Sequence, residues 1–106
     1  MAVNVLTDTE FKELLESGDA IAVKYYADWC GSCKLFAPKF RRLSEDERFA
    51  GIQFVDINAE NNPESRQLAG VDNLPFIAVF KGGKLVDGSA TSKEEKAVEL
   101  LNQIAS

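Results

Sequence analysis

The sequence predicts a single α/β domain with elements in the order βαβαβαββα, and three observations carry that prediction. Two nearly continuous β-prone runs, Ala20 to Ala27 (AIAVKYYA) and Ile52 to Ile57, read as strands covered on both faces. The segment between them repeats apolar residues at helical spacing, so the two strands are expected to be parallel, with a right-handed crossover. A third run, Phe76 to Lys81 (FIAVFK), leads into Gly82-Gly83, a pair that supplies the positive φ values of a tight hairpin turn.

In chain order, Val3 to Leu6 is a short strand candidate. Thr7-Asp8-Thr9-Glu10 then offers a capping box, in which residues three apart satisfy each other's backbone N–H groups, ahead of Phe11, Leu14 and Leu15 at helical intervals. Gly18 ends that helix. The strand Ala20 to Ala27 follows, with Lys24 as its one charged residue. From Cys33 to about Phe49, the residues Leu35, Phe36, Phe40, Leu43 and Phe49 describe one helix, bent at Pro38 because proline removes a hydrogen bond. After the strand Ile52 to Ile57, Asn62-Pro63 reads as an N-cap with proline at the first helical position, and Gly70 as the residue past the other end. Lys84-Leu85-Val86 completes the hairpin. Ser92-Lys93-Glu94-Glu95 is a second capping box, opening an amphipathic helix with Ala97, Leu100, Leu101 and Ile104 on its inner face.

A chain of 106 residues with 45% apolar content builds one core, so residues 1–106 are expected to form one domain and a monomer. No apolar run approaches the roughly 18 residues of a membrane span, and Met1-Ala2-Val3-Asn4 lacks the basic-then-apolar pattern of a signal peptide. A soluble, cytoplasmic chain without a membrane partner is expected. The formal charge of −5 disfavours nucleic acid, and Lys39, Arg41 and Arg42, followed by Glu45, Asp46 and Glu47, read as a solvated helix face. Two cysteines and no histidine exclude a Cys-His protease and any zinc site built on imidazoles.

Trp29-Cys30-Gly31-Ser32-Cys33-Lys34 stands between a buried strand and a helix, which places Cys30 at the helix N-terminus. Unpaired N–H groups and the positive end of the helix dipole favour a thiolate there, below the roughly 8.5 of a free cysteine. Cys33 lies one turn later and points back toward it. A bond between residues three apart restrains little of the unfolded chain, so the spacing argues for reactivity over scaffolding. Cys30 is the expected nucleophile, accessible to solvent, and Cys33 the resolving thiol. The alternatives for a bare C-x-x-C are half a metal knuckle, for which this chain lacks a second ligand pair, and two inert core thiols.

At these residues the chain resembles the thioredoxin family, over nearly its whole length from about Val3 to Ala105. Ala27-Asp28-Trp29-Cys30-Gly31-Ser32-Cys33-Lys34 is similar to the family's active-site signature, here in a CGSC form. Pro38 matches its helix-bending proline, Asn73-Leu74-Pro75-Phe76 the segment with its cis-proline, and Phe80-Lys81-Gly82-Gly83 its terminal hairpin. The resemblance implies a thioredoxin fold: a five-stranded mixed central sheet flanked by four helices, with the cysteines and Pro75 side by side on one surface. It implies a protein-disulfide reductase serving cell redox homeostasis, with protein disulfides as substrates and a flavoprotein donor of the thioredoxin reductase type. It implies no bound cofactor or metal beyond the redox-active Cys30-Cys33 disulfide. Carried over, Trp29 shields the sulfurs, Gly31 keeps Cys30 accessible and Pro75 borders the substrate groove. A cis Leu74-Pro75 bond leaves Leu74's backbone edge free to pair with an extended substrate, the alternative being a trans proline before an edge strand.

The chain departs from the family in three places. Ser32 stands where proline is usual, which loosens the turn between the sulfurs and predicts a less reducing couple, unless the replacement is neutral. Lys24 stands where a buried aspartate is common, and Asp56 on the neighbouring strand where some members carry lysine. We expect a swapped ion pair beneath Cys33 that tunes its ionisation, against the alternative of a lysine snorkelling to solvent. Tyr26 replaces another aromatic, and Ala90 a glycine beside the groove. Two other functions are compatible with the residues: a binding or scaffold module with weak redox activity, and a dimer bridged by an iron-sulfur cluster through Cys30 and Cys33.

Overall fold

The computed structural model describes residues 3–105. Five strands form one mixed sheet in the order β1-β3-β2-β4-β5, with β1 at Asn4–Val5, β2 at Ile21–Tyr26, β3 at Gln53–Asn58, β4 at Phe76–Lys81 and β5 at Lys84–Ala90. Four helices flank it: α1 (Asp8–Glu16), α2 (Gly31–Ser44), α3 (Pro63–Ala69) and α4 (Glu94–Asn102). β2 is the centre, parallel to β3 on one side and antiparallel to β4 on the other. Its continuous apolar run follows from that position, since both faces are covered.

Alternation along the central strands divides the core in two. Ala22, Phe54, Ile77 and Val79 face one way, against Phe36, Phe40 and Leu43 of α2 and Ala97, Leu100 and Leu101 of α4. Ile21, Val23, Tyr25, Ala78 and Phe80 face the other, against Phe11 of α1 and Ala69 of α3. Each fully buried large side chain contributes about 1.5–3 kcal/mol by leaving water, so both faces hold the sheet. At Gly88 the hairpin closes tightly on the sheet: an added Cβ would sit 2.8 Å from Cε1 of Phe76.

Several boundaries differ from those expected. The segment predicted as one helix to Phe49 ends at Ser44, because Asp46 turns its carboxylate onto the Arg48 N–H and starts a separate 3-10 turn at Glu47–Phe49. β1 is reduced to two residues, although the Leu6 N–H still reaches the Asp56 carbonyl. β5 runs four residues beyond Val86. The second capping box does not form: α4 begins at Glu94, and the Thr91 hydroxyl accepts from the Lys93 N–H at 3.0 Å. Nor does the Asn62 side chain cap α3; it accepts from the Asp8 N–H, and Asp8 caps α3 in its place. The first capping box, between Thr7 and Glu10, is present. Gly70, Gly82 and Gly83 all take positive φ, as a helix stop and a tight turn require.

Candidate active site

The end of β2 and the start of α2 place the two cysteines. Cys30 is the N-cap residue of α2, in extended conformation, and its sulfur accepts from the Cys33 N–H at 3.2 Å. This is one of the helix's otherwise orphaned N–H groups, aimed at the atom that becomes a thiolate on reduction. The two cysteines are joined as a disulfide, with Cα atoms 5.3 Å apart. Ser32 Oγ lies 3.6 Å from Cys30 Sγ, within reach of a sulfur hydrogen bond. Pro38 falls inside α2, one turn past Lys34.

The expected solvent access at Cys30 is absent in this oxidised form. Cys30 is 4% exposed and Cys33 3%, because Ala27, Tyr26 and Leu74 pack around the pair. Trp29, assigned to shield the sulfurs, lies outside that cluster; it is 68% exposed, and its indole N–H donates to Glu60 at 2.6 Å. Gly31 and Ser32 are exposed beside the pair. The Leu74-Pro75 bond is cis, and Pro75 is buried. A shallow cleft of about 190 Å3 runs between Ser32, Pro75 and the end of β5 at Ala90, so motif and proline do share one surface. The Leu74 N–H donates to Oδ1 of the exposed Asn73 side chain at 2.9 Å, a bond that a pairing strand would exchange.

Behind the disulfide, parallel register sets Lys24 of β2 directly beside Asp56 of β3. Lys24 is 3% exposed, which excludes the snorkelling alternative. Its Nζ is 3.5 Å from Asp56 Oδ1 and lies over the rings of Tyr26 and Phe40 at 5.9 and 5.7 Å. The pair is ionic without being well hydrogen-bonded: Oδ1 is buried and has no hydrogen-bond partner among the described residues. Burial pushes the Asp56 carboxyl above its ordinary 3.8, against the opposing pull of Lys24 and, more weakly, Arg41. Lys24, Asp56 and Cys33 line one cleft of about 320 Å3, so the expected position of the pair beneath Cys33 is met.

The family model described as Thioredoxin matches residues 2–106. The chain belongs to the thioredoxin family. It is 32% identical to the thioredoxin of Rickettsia typhi over 97 residues, covering 91% of each chain, and 34% identical to thioredoxin 1 of Nostoc sp. over 84 residues, covering 77% of each. Its fold is similar to the X-ray structure of Fasciola hepatica thioredoxin, with a TM-score of 0.86, 28% identity and coverage of 96% of this chain and 99% of that one. As in thioredoxins generally, the redox group is intrinsic, here the Cys30-Cys33 disulfide, and the chemistry is thiol–disulfide exchange. Among the described residues no cluster of three or more His, Cys, Asp or Glu side chains could hold a metal, and no helix is long and apolar enough to cross a membrane.

Sequence reasoning missed Glu60 beside this thioredoxin site, and it placed Asn73 next to the cis-proline without its side-chain bond to Leu74. Glu60 had a usable signal: parallel pairing continues past β2, where the Ala59 N–H donates to the Tyr26 carbonyl, and so brings the next residue toward Trp29. The Asn73 bond had only a generic one, the tendency of Asn side chains to bond neighbouring backbone.

Proposed function

We propose that this thioredoxin-family protein is a protein-disulfide reductase in which Cys30 attacks and Cys33 resolves. The observation that carries the assignment is the N-cap position of Cys30, whose sulfur already accepts the Cys33 N–H. Reduced Cys30, as thiolate, attacks a target disulfide and forms a mixed disulfide, releasing the first target thiol. Cys33 then attacks Cys30, the Cys30–Cys33 bond forms, and the second target sulfur leaves with the electron pair. The target gains two electrons and the dithiol loses them; a flavoprotein reductase of the thioredoxin reductase type restores it. Trp29, Gly31, Ser32, Leu74 and Pro75 form the surface on which the target docks. The single domain acts as a monomer in the cytoplasm, where a reducing pool keeps the dithiol available.

Reduction of insulin by dithiothreitol, followed as turbidity with and without the protein, tests the activity. Acceleration is expected, and Cys30→Ser removes it. Cys33→Ser retains attack but not resolution, so it accumulates a mixed disulfide with insulin visible on a non-reducing gel. Iodoacetamide at neutral pH should label Cys30 of the reduced protein first. Equal, slow labelling of both cysteines with no acceleration leaves only the fold in common with thioredoxins and favours the scaffold reading.

A further inference from the structure

Helix α2 carries the four cations Lys34, Lys39, Arg41 and Arg42 and no acid, so it holds +4 in a chain of net −5 and leaves −9 on everything else. Arg41 and Arg42 lie in its last turn, where a cation suits the negative end of the helix dipole; Lys34 lies in the first, where an acid is the stabilising choice. Arg42 reaches Glu94 at 3.5 Å, whereas Lys34, Lys39 and Arg41 have no ion pair among the described residues. The structure separates these cations from Glu45, Asp46 and Glu47, which all lie past the end of α2, and Asp46 is held by Arg48 at 2.9 Å. Two apolar residues stand among the cations: Leu35, 78% exposed, and Pro38, also exposed. At 3.6 residues per turn, Lys34, Pro38 and Arg41 form one row along the outer face, and Leu35 and Arg42 the row beside it. Near one end of the strip, Lys34 lines the same cleft as Cys33. Near the other, Arg41 borders a cleft of about 290 Å3 between Phe40 and Val5, itself 65% exposed at the sheet edge; Lys24 and Asp56 also line it, neutral as a pair.

We propose that the outer face of α2, through Lys34, Leu35, Pro38 and Arg41, is a docking surface for an acidic, partly apolar segment of the target protein next to its reactive disulfide. This rests on the reductase reading above and adds to it a choice among targets. The occupant follows from charge. The rest of the chain bears −9, so an acidic segment is repelled elsewhere on the molecule and attracted here, which raises the rate of encounter and fixes the orientation of docking. Lys34 and Arg41, about 10 Å apart at 1.5 Å per residue, each take one carboxylate, and Leu35 and Pro38 give an apolar side chain between those acids a surface to cover. Nucleic acid fits less well, because a phosphate backbone long enough to bind also meets the acidic remainder. The geometry suits a segment continuous with the reacting cysteine. Arg41 is about 16 Å from Cys30 along the helix, a span that an extended chain covers in about five residues.

The test uses synthetic peptides whose single cysteine is capped as a mixed disulfide with thionitrobenzoate. One peptide carries Glu at the second and fifth positions on each side of the cysteine and Leu at the third; a second carries Gln in place of Glu, and a third Lys. When the reduced protein reacts, Cys30 bonds to the peptide sulfur and thionitrobenzoate leaves with the electron pair, so its absorbance gives the second-order rate constant. At about 20 mM salt the Glu peptide is expected to react about tenfold faster than the Gln peptide, and at about 0.5 M salt within about twofold of it. Lys34→Gln and Arg41→Gln should each lower that ratio and together abolish it; a ratio taken within one protein cancels any change in thiolate reactivity. Arg41→Glu should shift the preference toward the Lys peptide, and Leu35→Ser should keep the Glu preference while slowing both the Glu and Gln peptides. Equal rates for the Glu and Gln peptides at low salt, or a Glu preference that survives Arg41→Glu intact, overturns the proposal. So does a dimer at low salt, seen by light scattering, that Arg41→Glu dissolves, because α2 then pairs with the acidic surface of a second copy. Binding of a single-stranded oligonucleotide that the Glu peptide fails to displace also overturns it and assigns the face to nucleic acid. No release of thionitrobenzoate from any peptide at either salt removes the reductase reading itself, whereas equal release leaves that reading standing.

Discussion

Single side chains at the start of α2 set the chemistry, and Ser32 is the one that most distinguishes this site. It occupies the first turn of the helix, where proline is tolerated because its missing N–H has no intrahelical partner. Its hydroxyl is 3.6 Å from Cys30 Sγ, close enough to donate to the thiolate once the disulfide opens. That bond stabilises the dithiol, and the unrestrained φ of serine raises the entropy lost on closing the ring; both make the couple more oxidising. Ser32→Pro is expected to lower the reduction potential by on the order of 30 mV, equivalent to about 1.4 kcal/mol for two electrons. A glutathione titration of both proteins measures it, and equal potentials would refute both effects. At this scale the sequence was legible where chemistry is local. The Cys pair, Ser32 and Pro75 could be placed from the motif and its neighbours alone. The bonds made by Trp29 and Leu74 were not legible because their partners, Glu60 and the Asn73 side chain, depend on loop geometry that periodicity does not encode.

Elements are held in place by bonds that cross between them, and α3 shows this most clearly. It has seven residues, too few to be stable by propensity alone, and its nominal N-cap Asn62 makes no capping bond. The Asp8 carboxylate, from the first turn of α1, accepts instead from the Ser65 N–H at 2.8 Å, the Ser65 hydroxyl at 2.6 Å and the Glu64 N–H at 3.2 Å. Burial raises the Asp8 pKa, but these three bonds outweigh it and hold the carboxyl below its ordinary 3.8. A carboxyl whose folded pKa is depressed adds stability that is fully present above its unfolded pKa and is lost as pH falls through the folded one. Asp8→Ala should therefore cost about 2 kcal/mol at pH 7, at the upper end for a lost cap, and the difference from wild type should shrink below about pH 4. Urea titrations at pH 7 and pH 3 read both quantities; a difference that persists undiminished at pH 3 rules out the carboxylate as its source. The same bond explains why helix existence was legible and its capping was not. Periodicity and Gly70 mark α3 from within, whereas its cap comes from a residue more than fifty positions earlier.

For the whole molecule, the decisive feature is that β2 serves both cores at once. Ala22 faces the layer of α2 and α4 while Ile21, Val23 and Tyr25 face that of α1 and α3, so neither layer persists without the strand they share. This architecture was readable from the unbroken apolar run of β2, since only a central strand needs both faces covered. The one charge in that run, Lys24, was readable as an anomaly, and its resolution came from the register that sets Asp56 beside it. A shared strand predicts a single unfolding unit. Leu101→Ala, in the α4 layer, and Phe11→Ala, in the α1 layer, each leave a cavity in a site with no solvent access, costing about 2–5 and 3–5 kcal/mol respectively. Both losses should lower the denaturant midpoint without changing the slope of the transition, and tryptophan fluorescence at Trp29 should coincide with far-ultraviolet circular dichroism in each variant. The two probes report different regions, the active-site surface and the average backbone. If Phe11→Ala melted its own layer first, the circular dichroism would change while the signal of Trp29, next to α2 in the other layer, held, and the slope would fall. That separation would mean the faces are independent, and that the two cysteines at the end of β2 rest on one layer instead of on the whole sheet.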